Sequence, residues 1–86
     1  MDDKEIRAAV VAVVRSIAPE IDADRIAADK PLRDQIDLDS MDWLNVIVEL
    51  REKFRVDVAE SDYGKLQTLN AIVDYLVARL SRHSPG

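Results

Sequence analysis

The stretch "IDLDSMDWLNVIVEL", residues 36–50, joins an acidic segment to an apolar one. Asp39 and Ser40 are both residue types that cap the N-termini of helices. Asp42 stands three residues after Asp39, which is the spacing of a capping box. These signals predict a helix that runs from about Ser40 to Phe54 or the residue after it.

This predicted helix has more apolar positions than it needs for docking on a core. At 100° per residue, one arc suffices to dock it, and its members are Trp43, Val46, Ile47, Leu50 and Phe54. Met41, Leu44 and Val48 lie on the far side of Ser40 from that arc, and we call them the apolar strip. A small bundle does not readily bury more than about half of one helix's circumference. We therefore expect the strip to be exposed and to serve as a docking surface.

Two more helices follow from the same periodicity. The first segment, from about Asp2 to Ile17, places apolar residues on one face. The last helix begins after Thr68, a plausible N-cap, and its apolar period continues to Leu80. Between the second and last helices, "VDVAESDYGKL" predicts an extended piece and one helical turn that stops near Gly64.

Residues 18–38 show no sustained period, which predicts a long loop. Single apolar residues are expected to attach it to the core: Ile21, Ile26, Leu32, Ile36 and Leu38.

The fold class predicted is all-α, a small bundle of three main helices plus one short helix, with a long loop between the first and second helices. Residues 1–80 form the predicted domain and residues 81–86 a flexible tail.

Composition narrows the function. The net charge is −5, and its negative excess lies in residues 34–62, which hold nine acids and three bases. This excess of negative charge attracts basic partners. It argues against binding of nucleic acid, because nucleic acid is itself negatively charged. The absence of cysteine excludes disulfides and thiol nucleophiles. No segment has the length of a membrane span, and we expect a cytoplasmic monomer.

Catalysis and metal binding receive little support. The only histidine, His83, lies in the predicted tail, so no rigid Ser–His pair is expected. The Asp37-x-Asp39-x-x-Asp42 spacing suggests calcium, but Met41 stands where that loop needs an oxygen ligand. Its required glycine and closing glutamate are also missing. We therefore predict neither an enzyme nor a metal site.

The triplet D-S-M at 39–41 resembles the D-S-L attachment motif of acyl carrier proteins. The lead-in "PLRDQIDLDS" and the downstream "VIVELREKFRVDVAESDYGKLQTLNAIVDYL" resemble the corresponding parts of that family. Length, acidic balance and the helix–long loop–helix order fit as well. The resemblance covers nearly the whole chain, and it implies a carrier without catalytic activity of its own. The chain begins at Met1 and ends in a short tail, from which we expect a free-standing protein.

The resemblance also implies roles for individual residues. A phosphopantetheinyl transferase would move 4′-phosphopantetheine from coenzyme A onto Ser40, recognising Asp39 and Met41. The thiol of that arm would hold acyl groups as thioesters for fatty-acid, polyketide or related lipid-synthesis enzymes. Basic surfaces of those enzymes would dock on Asp39, Met41, Asp42, Leu44, Val48 and Glu52. An interior acyl-chain pocket would be lined by Leu32, Val46, Leu50, Val58, Leu66 and Val73.

Four positions depart from the family pattern. Asp37 stands where a glycine is frequent, and Asn45 and Arg51 replace acids of common fatty-acid carriers. Trp43 is bulky for the first turn of this helix. These departures favour a carrier dedicated to one pathway or partner set. They leave open the hypothesis that the chain carries D-alanine. The alternative hypothesis is a non-carrier acidic adaptor that binds a partner through its second helix, with Ser40 as an ordinary cap.

Overall fold

Three long helices form the frame of the molecule. The structure is a computed structural model that describes residues 2–82, without the side chains of residues 23, 81 and 82. The long helices are α1 (Asp3–Ile17), α3 (Ser40–Phe54) and α4 (Leu69–Arg82). Shorter elements are α2 (Leu32–Gln35), a first 3₁₀ turn (Ala23–Arg25) and a second 3₁₀ turn (Glu60–Lys65). The predicted all-α class is confirmed.

Side-chain caps fix where the first and last long helices, α1 and α4, begin. The Asp2 carboxylate accepts a hydrogen bond of 2.9 Å from the Glu5 N–H, and the Thr68 hydroxyl oxygen accepts one of 3.0 Å from the Ala71 N–H. Thr68 is therefore the cap that the sequence predicts. α4 continues to Arg82, two residues into the segment predicted as a tail. Residues 83–86 of that predicted tail lie outside the described part of the chain.

The core is apolar throughout. Within the described residues the buried side chains are all hydrophobic, and none is polar or charged. α1 packs against both α3 and α4, so it is the centre of the bundle. Its buried residues are Ile6, Val10, Val13 and Val14. No helix among the described residues is long and apolar enough to cross a membrane.

The connector between α1 and α3 is attached to the core where the sequence predicts. Leu32, Ile36 and Leu38 are buried, and Ile21 and Ile26 are half-buried against the core. The connector also contains α2 and the first 3₁₀ turn, which the sequence does not predict. Elements of three and four residues are too short to show a period.

The Gln35 side chain organises this connector. Its oxygen accepts a hydrogen bond of 2.6 Å from the Ala27 N–H, and its amide nitrogen donates to the carbonyls of Ala27 and Lys30. A single antiparallel bridge then joins Pro31 to Thr68 at the start of α4. The structure assigns no strand within residues 2–82.

A polar cluster attaches the second 3₁₀ turn to α4. The Tyr75 hydroxyl donates a hydrogen bond of 2.9 Å to the Asp62 carboxylate, and Arg79 donates one of 2.7 Å to the Tyr75 oxygen. Lys65 lies 3.3 Å from Asp62, and the Arg79 guanidinium lies over the Tyr75 ring at 4.8 Å. The sequence predicts a turn that stops near Gly64, and the observed turn ends one residue later.

This cluster shifts the titration of two of its members. The hydrogen bond from Tyr75 and then the one from Lys65 hold the pKa of Asp62 below its ordinary value. Burial, followed by the hydrogen bond to Asp62, raises the pKa of Tyr75. Asp62 is therefore charged in the folded protein over a wider pH range than in the unfolded chain.

Neighbouring residues of α3 test the core assignment. Ile47 is 1% exposed, whereas Val48 is 41% exposed. We expect Ile47→Ala to lower the free energy of unfolding by about 2–5 kcal/mol, because it leaves a cavity. The control Val48→Ala should stay within about 0.5 kcal/mol of the wild type. Urea unfolding measures both, and equal losses would contradict the assignment.

The Asp62 cluster predicts a pH dependence of stability. Because the pKa of Asp62 is depressed in the folded state, its contribution to the free energy of unfolding is fully present above the ordinary aspartate pKa. That contribution disappears as the pH falls through the depressed value. Asp62→Asn should therefore be less stable than the wild type at neutral pH, and the difference should narrow in acid.

The measurement is urea unfolding across that pH range, with Asp74→Asn, an exposed acid on α4, as the matched control. If the difference in unfolding free energy between the wild type and Asp62→Asn stays constant with pH, that result contradicts the role of the cluster.

Candidate functional site

Ser40 is the first residue of α3, and its side chain is exposed. The cap is Asp39, whose carboxylate accepts a hydrogen bond of 2.8 Å from the Asp42 N–H. The Asp39 carbonyl also accepts the Trp43 N–H at 2.9 Å. Both Asp39 and Ser40 are suitable cap types by sequence, and the structure gives that role to Asp39. The serine hydroxyl is thus at a helix start without serving as its cap.

The residues present fit a covalently attached phosphopantetheine. An exposed hydroxyl is the group that a phosphoester needs, and Ser40 presents it at the positive end of the α3 dipole. Backbone N–H groups of the first helical turn favour a phosphate there. The carboxylates of Asp39 and Asp42 add negative charge at the same end of the helix, and negative charge attracts basic partners.

The apolar strip is exposed along α3. Met41 is 69% exposed, Leu44 43% and Val48 41%, and these are the exposed large hydrophobic residues of the described chain. Isolated exposed apolar residues are ordinary, but three that follow one face of one helix form a patch. Glu52 is exposed beside them, and Asp42 is half-buried. The apolar strip is therefore accessible along α3, and of the predicted acidic docking residues Asp39 and Glu52 are exposed.

The residues predicted to line an acyl-chain pocket lie inside the molecule. Each is at most 8% exposed, and together they are Leu32, Val46, Leu50, Val58, Leu66 and Val73. All six belong to the single hydrophobic core. The structure thus brings them together, although none of them lines the cleft described next.

A cleft of about 580 Å³ opens beside the N-terminal end of α3. Leu38 and Trp43 lie on its α3 side, before and after Ser40 in the chain, and Tyr63 lies on the second 3₁₀ turn. Residues three apart on a helix have Cβ atoms about 5–6 Å apart, so Trp43 lies next to Ser40 along α3, although its side chain is largely buried. The other lining residues are Pro31, Arg33, Asp34, Gly64 and Gln67.

Sequence reasoning does not find this cleft. The helical period assigns Trp43 to the core, and the structure confirms that assignment. Trp43 also lines the cleft, which the period does not indicate. Tyr63 lines it as well, and the turn that carries Tyr63 has no helical period. The one available signal is an aromatic residue at an unusual place, three residues after the serine.

Comparisons with known proteins agree with this geometry. Residues 8–76 match the family model described as the phosphopantetheine attachment site. The acyl carrier protein of Chlorobium luteolum is 29% identical over 79 residues, which cover 92% of this chain and all of that protein. The acyl carrier protein of Exiguobacterium sp. is 27% identical over 73 residues, covering 83% and 92%.

Solved structures give the same result. The acyl carrier protein of Enterococcus faecalis superposes with a TM-score of 0.72 at 26% identity, covering 92% of this chain and 99% of that one. A solution structure from Anaplasma phagocytophilum gives 0.80 at 26% identity, covering 100% and 97%. The family model alone matches well over half of the chain. The chain therefore belongs to the acyl carrier protein family, whose cofactor is 4′-phosphopantetheine.

Proposed function

We propose that Ser40 is the attachment site and that the chain presents acyl thioesters to lipid-synthesis enzymes. The observation that carries this is the division of roles at the start of α3, where Asp39 caps the helix and leaves the exposed serine beside it. When bound, 4′-phosphopantetheine supplies a thiol that holds acyl groups as thioesters. In the attachment step the Ser40 oxygen forms the phosphodiester bond and adenosine 3′,5′-bisphosphate leaves coenzyme A. The serine proton goes to a base of the transferase.

The protein's own residues in this proposal bind and orient, and they catalyse nothing. The transferase approaches Asp39 and Met41, and acyl-transferring or condensing enzymes dock on the apolar strip with Asp39, Asp42 and Glu52. Exposure of the strip and the acidic character of residues 34–62 support this surface.

A cytoplasmic location is part of the proposal and is supported by the absence of cysteine. Sheltering of an acyl chain by the six interior residues also stays a prediction.

The adaptor hypothesis has the same docking surface and lacks the covalent arm. It assigns Ser40 the role of a helix cap, whereas the cap hydrogen bond is accepted by Asp39. The family to which the chain belongs also favours the carrier. The two functions differ in whether Ser40 is modified.

Covalent loading tests the proposal directly. The apo-protein, incubated with coenzyme A, Mg²⁺ and a broad-specificity phosphopantetheinyl transferase, should gain the mass of one phosphopantetheine. Ser40→Ala should gain none, because it lacks the hydroxyl oxygen. Ser61→Ala, which changes another exposed serine, is the matched control and should load like the wild type. Loading of Ser40→Ala, or no loading of a folded wild type by several transferases, would overturn it.

The recognition residues predict a second result. Asp39→Asn keeps a good cap but loses the charge, and Met41→Ala shortens the most exposed large apolar side chain among the described residues. We expect each to lower kcat/KM of the transferase several-fold with little change in unfolding free energy. Asp39→Ala should in addition lower that free energy by about 0.5–2 kcal/mol.

Asn45→Ala is the control for this series, since Asn45 is exposed on α3 outside the apolar strip. Loading rates from intact mass, with urea unfolding of each variant, provide the measurement. Equal rates for Asp39→Asn, Met41→Ala and Asn45→Ala would remove Asp39 and Met41 from the recognition surface.

A further inference from the structure

The apolar strip of α3 continues into two arginines on the same side of the helix. The exposed side chains of this side follow one another at steps of three, four, three and four residues: Met41, Leu44, Val48, Arg51 and Arg55. Alternating steps of three and four keep side chains on one stripe of a helix. We call Arg51 and Arg55 the arginine pair. Both are exposed, and together with Val48 they line a surface hollow of about 300 Å³.

The arginine pair does not hold the fold together through ion pairs. Among the described side chains, the salt bridges are made by Asp22 and Asp62 with other bases. Glu52 and Asp57 line the same hollow as the arginine pair, but neither forms a salt bridge with it. The two guanidinium groups are therefore available to an acidic group from outside the chain.

The backbone at Arg55 supports a role outside the fold. Arg55 follows α3 as its C-cap with φ 54° and ψ 46°, and it is the one residue other than glycine with a positive φ in the described chain. Glycine takes this left-handed conformation at helix ends at the least cost. Positive charge does suit the negative end of the α3 dipole, but Arg51 and Lys53 already supply it. The fold alone thus gives little reason for an arginine here.

The two ends of α3 differ in local charge. Residues 36–42 contain three acids and no base, whereas residues 51–57 contain three bases and two acids. The apolar strip lies between these ends. At about 1.5 Å per residue, Arg51 and Arg55 lie about 16 and 22 Å from Ser40 along the helix axis. A partner surface that is basic throughout is attracted at the first end and repelled at the second, whereas one with acids opposite the arginine pair is attracted at both.

We propose that the arginine pair binds acidic side chains of a partner enzyme and so selects which enzymes dock on α3. Such an enzyme has an apolar patch for the strip, basic residues near the entrance of its active site, and Asp or Glu side chains at the far end of the patch. The inference rests on the proposed carrier function and adds the chemistry of the partner. The net charge of −5 opposes both an anionic lipid surface and a second copy of the chain as occupants.

Two fluorescently labelled helical peptides stand in for the partner in the test. Both have the same stripe of leucines at steps of three and four residues, and both have lysines at one end. The Lys–Glu peptide has glutamates at its other end, and the Lys–Lys peptide has lysines there. Fluorescence anisotropy gives the Kd of each peptide for the holo-protein at low ionic strength, where surface charges are least screened. The measured quantity is the preference, the Kd of the Lys–Lys peptide divided by that of the Lys–Glu peptide.

We expect Arg51→Gln/Arg55→Gln to lower this preference about three- to ten-fold, because the glutamates lose their partners and the lysines lose a repulsion. Arg15→Gln/Lys53→Gln is the matched control. It removes the same net charge from two exposed bases, and Lys53 lines a different hollow, between α3 and α1. Its preference should stay within about two-fold of the wild type, since charge away from the stripe acts on both peptides from a distance.

Arg55→Gly separates recognition from folding. The substitution removes the guanidinium and places glycine where the backbone is left-handed, so Tm should not fall while the preference does. A Tm that falls, with a preference equal to that of the wild type, would show that the side chain serves the fold and would contradict the inference.

Other results would also overturn the inference. These are an equal preference in the wild type and in Arg51→Gln/Arg55→Gln, or no binding of either peptide. A dimer in sedimentation equilibrium that the double substitution dissociates, or binding to phosphatidylglycerol vesicles that it abolishes, would overturn the choice of an enzyme as partner. The proposed function is tested separately by intact mass, because failure of Ser40 to load overturns the carrier whatever the peptides do.

Discussion

The burial of one face of α3 against α1 is the interaction on which the rest of the structure depends. A chain of 86 residues has a small core, so each long helix contributes a whole face to it. Val46, Ile47 and Leu50 turn that face inward, and this orientation fixes the direction of every other residue of the helix. Ser40 and the apolar strip point outward because α1 holds the opposite side.

Helical periodicity makes this division predictable from sequence. It separates Ile47, which is buried, from Val48, which is exposed, although the two are adjacent and similar in chemistry. The bounds of α3 and the Thr68 cap of α4 are local signals and are also predicted correctly. The choice between Asp39 and Ser40 as cap is not decided by sequence, because both residue types accept the same hydrogen bond.

What the sequence does not reveal depends on residues far apart in the chain. Asp62 and Arg79 are 17 positions apart, and no periodic pattern links a 3₁₀ turn to the far side of a helix. The cleft is similar, since Trp43 and Tyr63 line one cleft only after the connector, α3 and the second 3₁₀ turn are assembled. Gln35 likewise organises the connector through bonds to backbone carbonyls, which any sequence offers. Such contacts follow from tertiary packing, so local propensity does not predict them.

The cap at Asp39 separates the start of α3 from the side chain of Ser40. Since Asp39 accepts the cap hydrogen bond, that bond does not depend on the Ser40 hydroxyl. Folding of α3 is therefore expected to be the same whether or not that hydroxyl carries a group, because the hydrogen bond that starts the helix is already made.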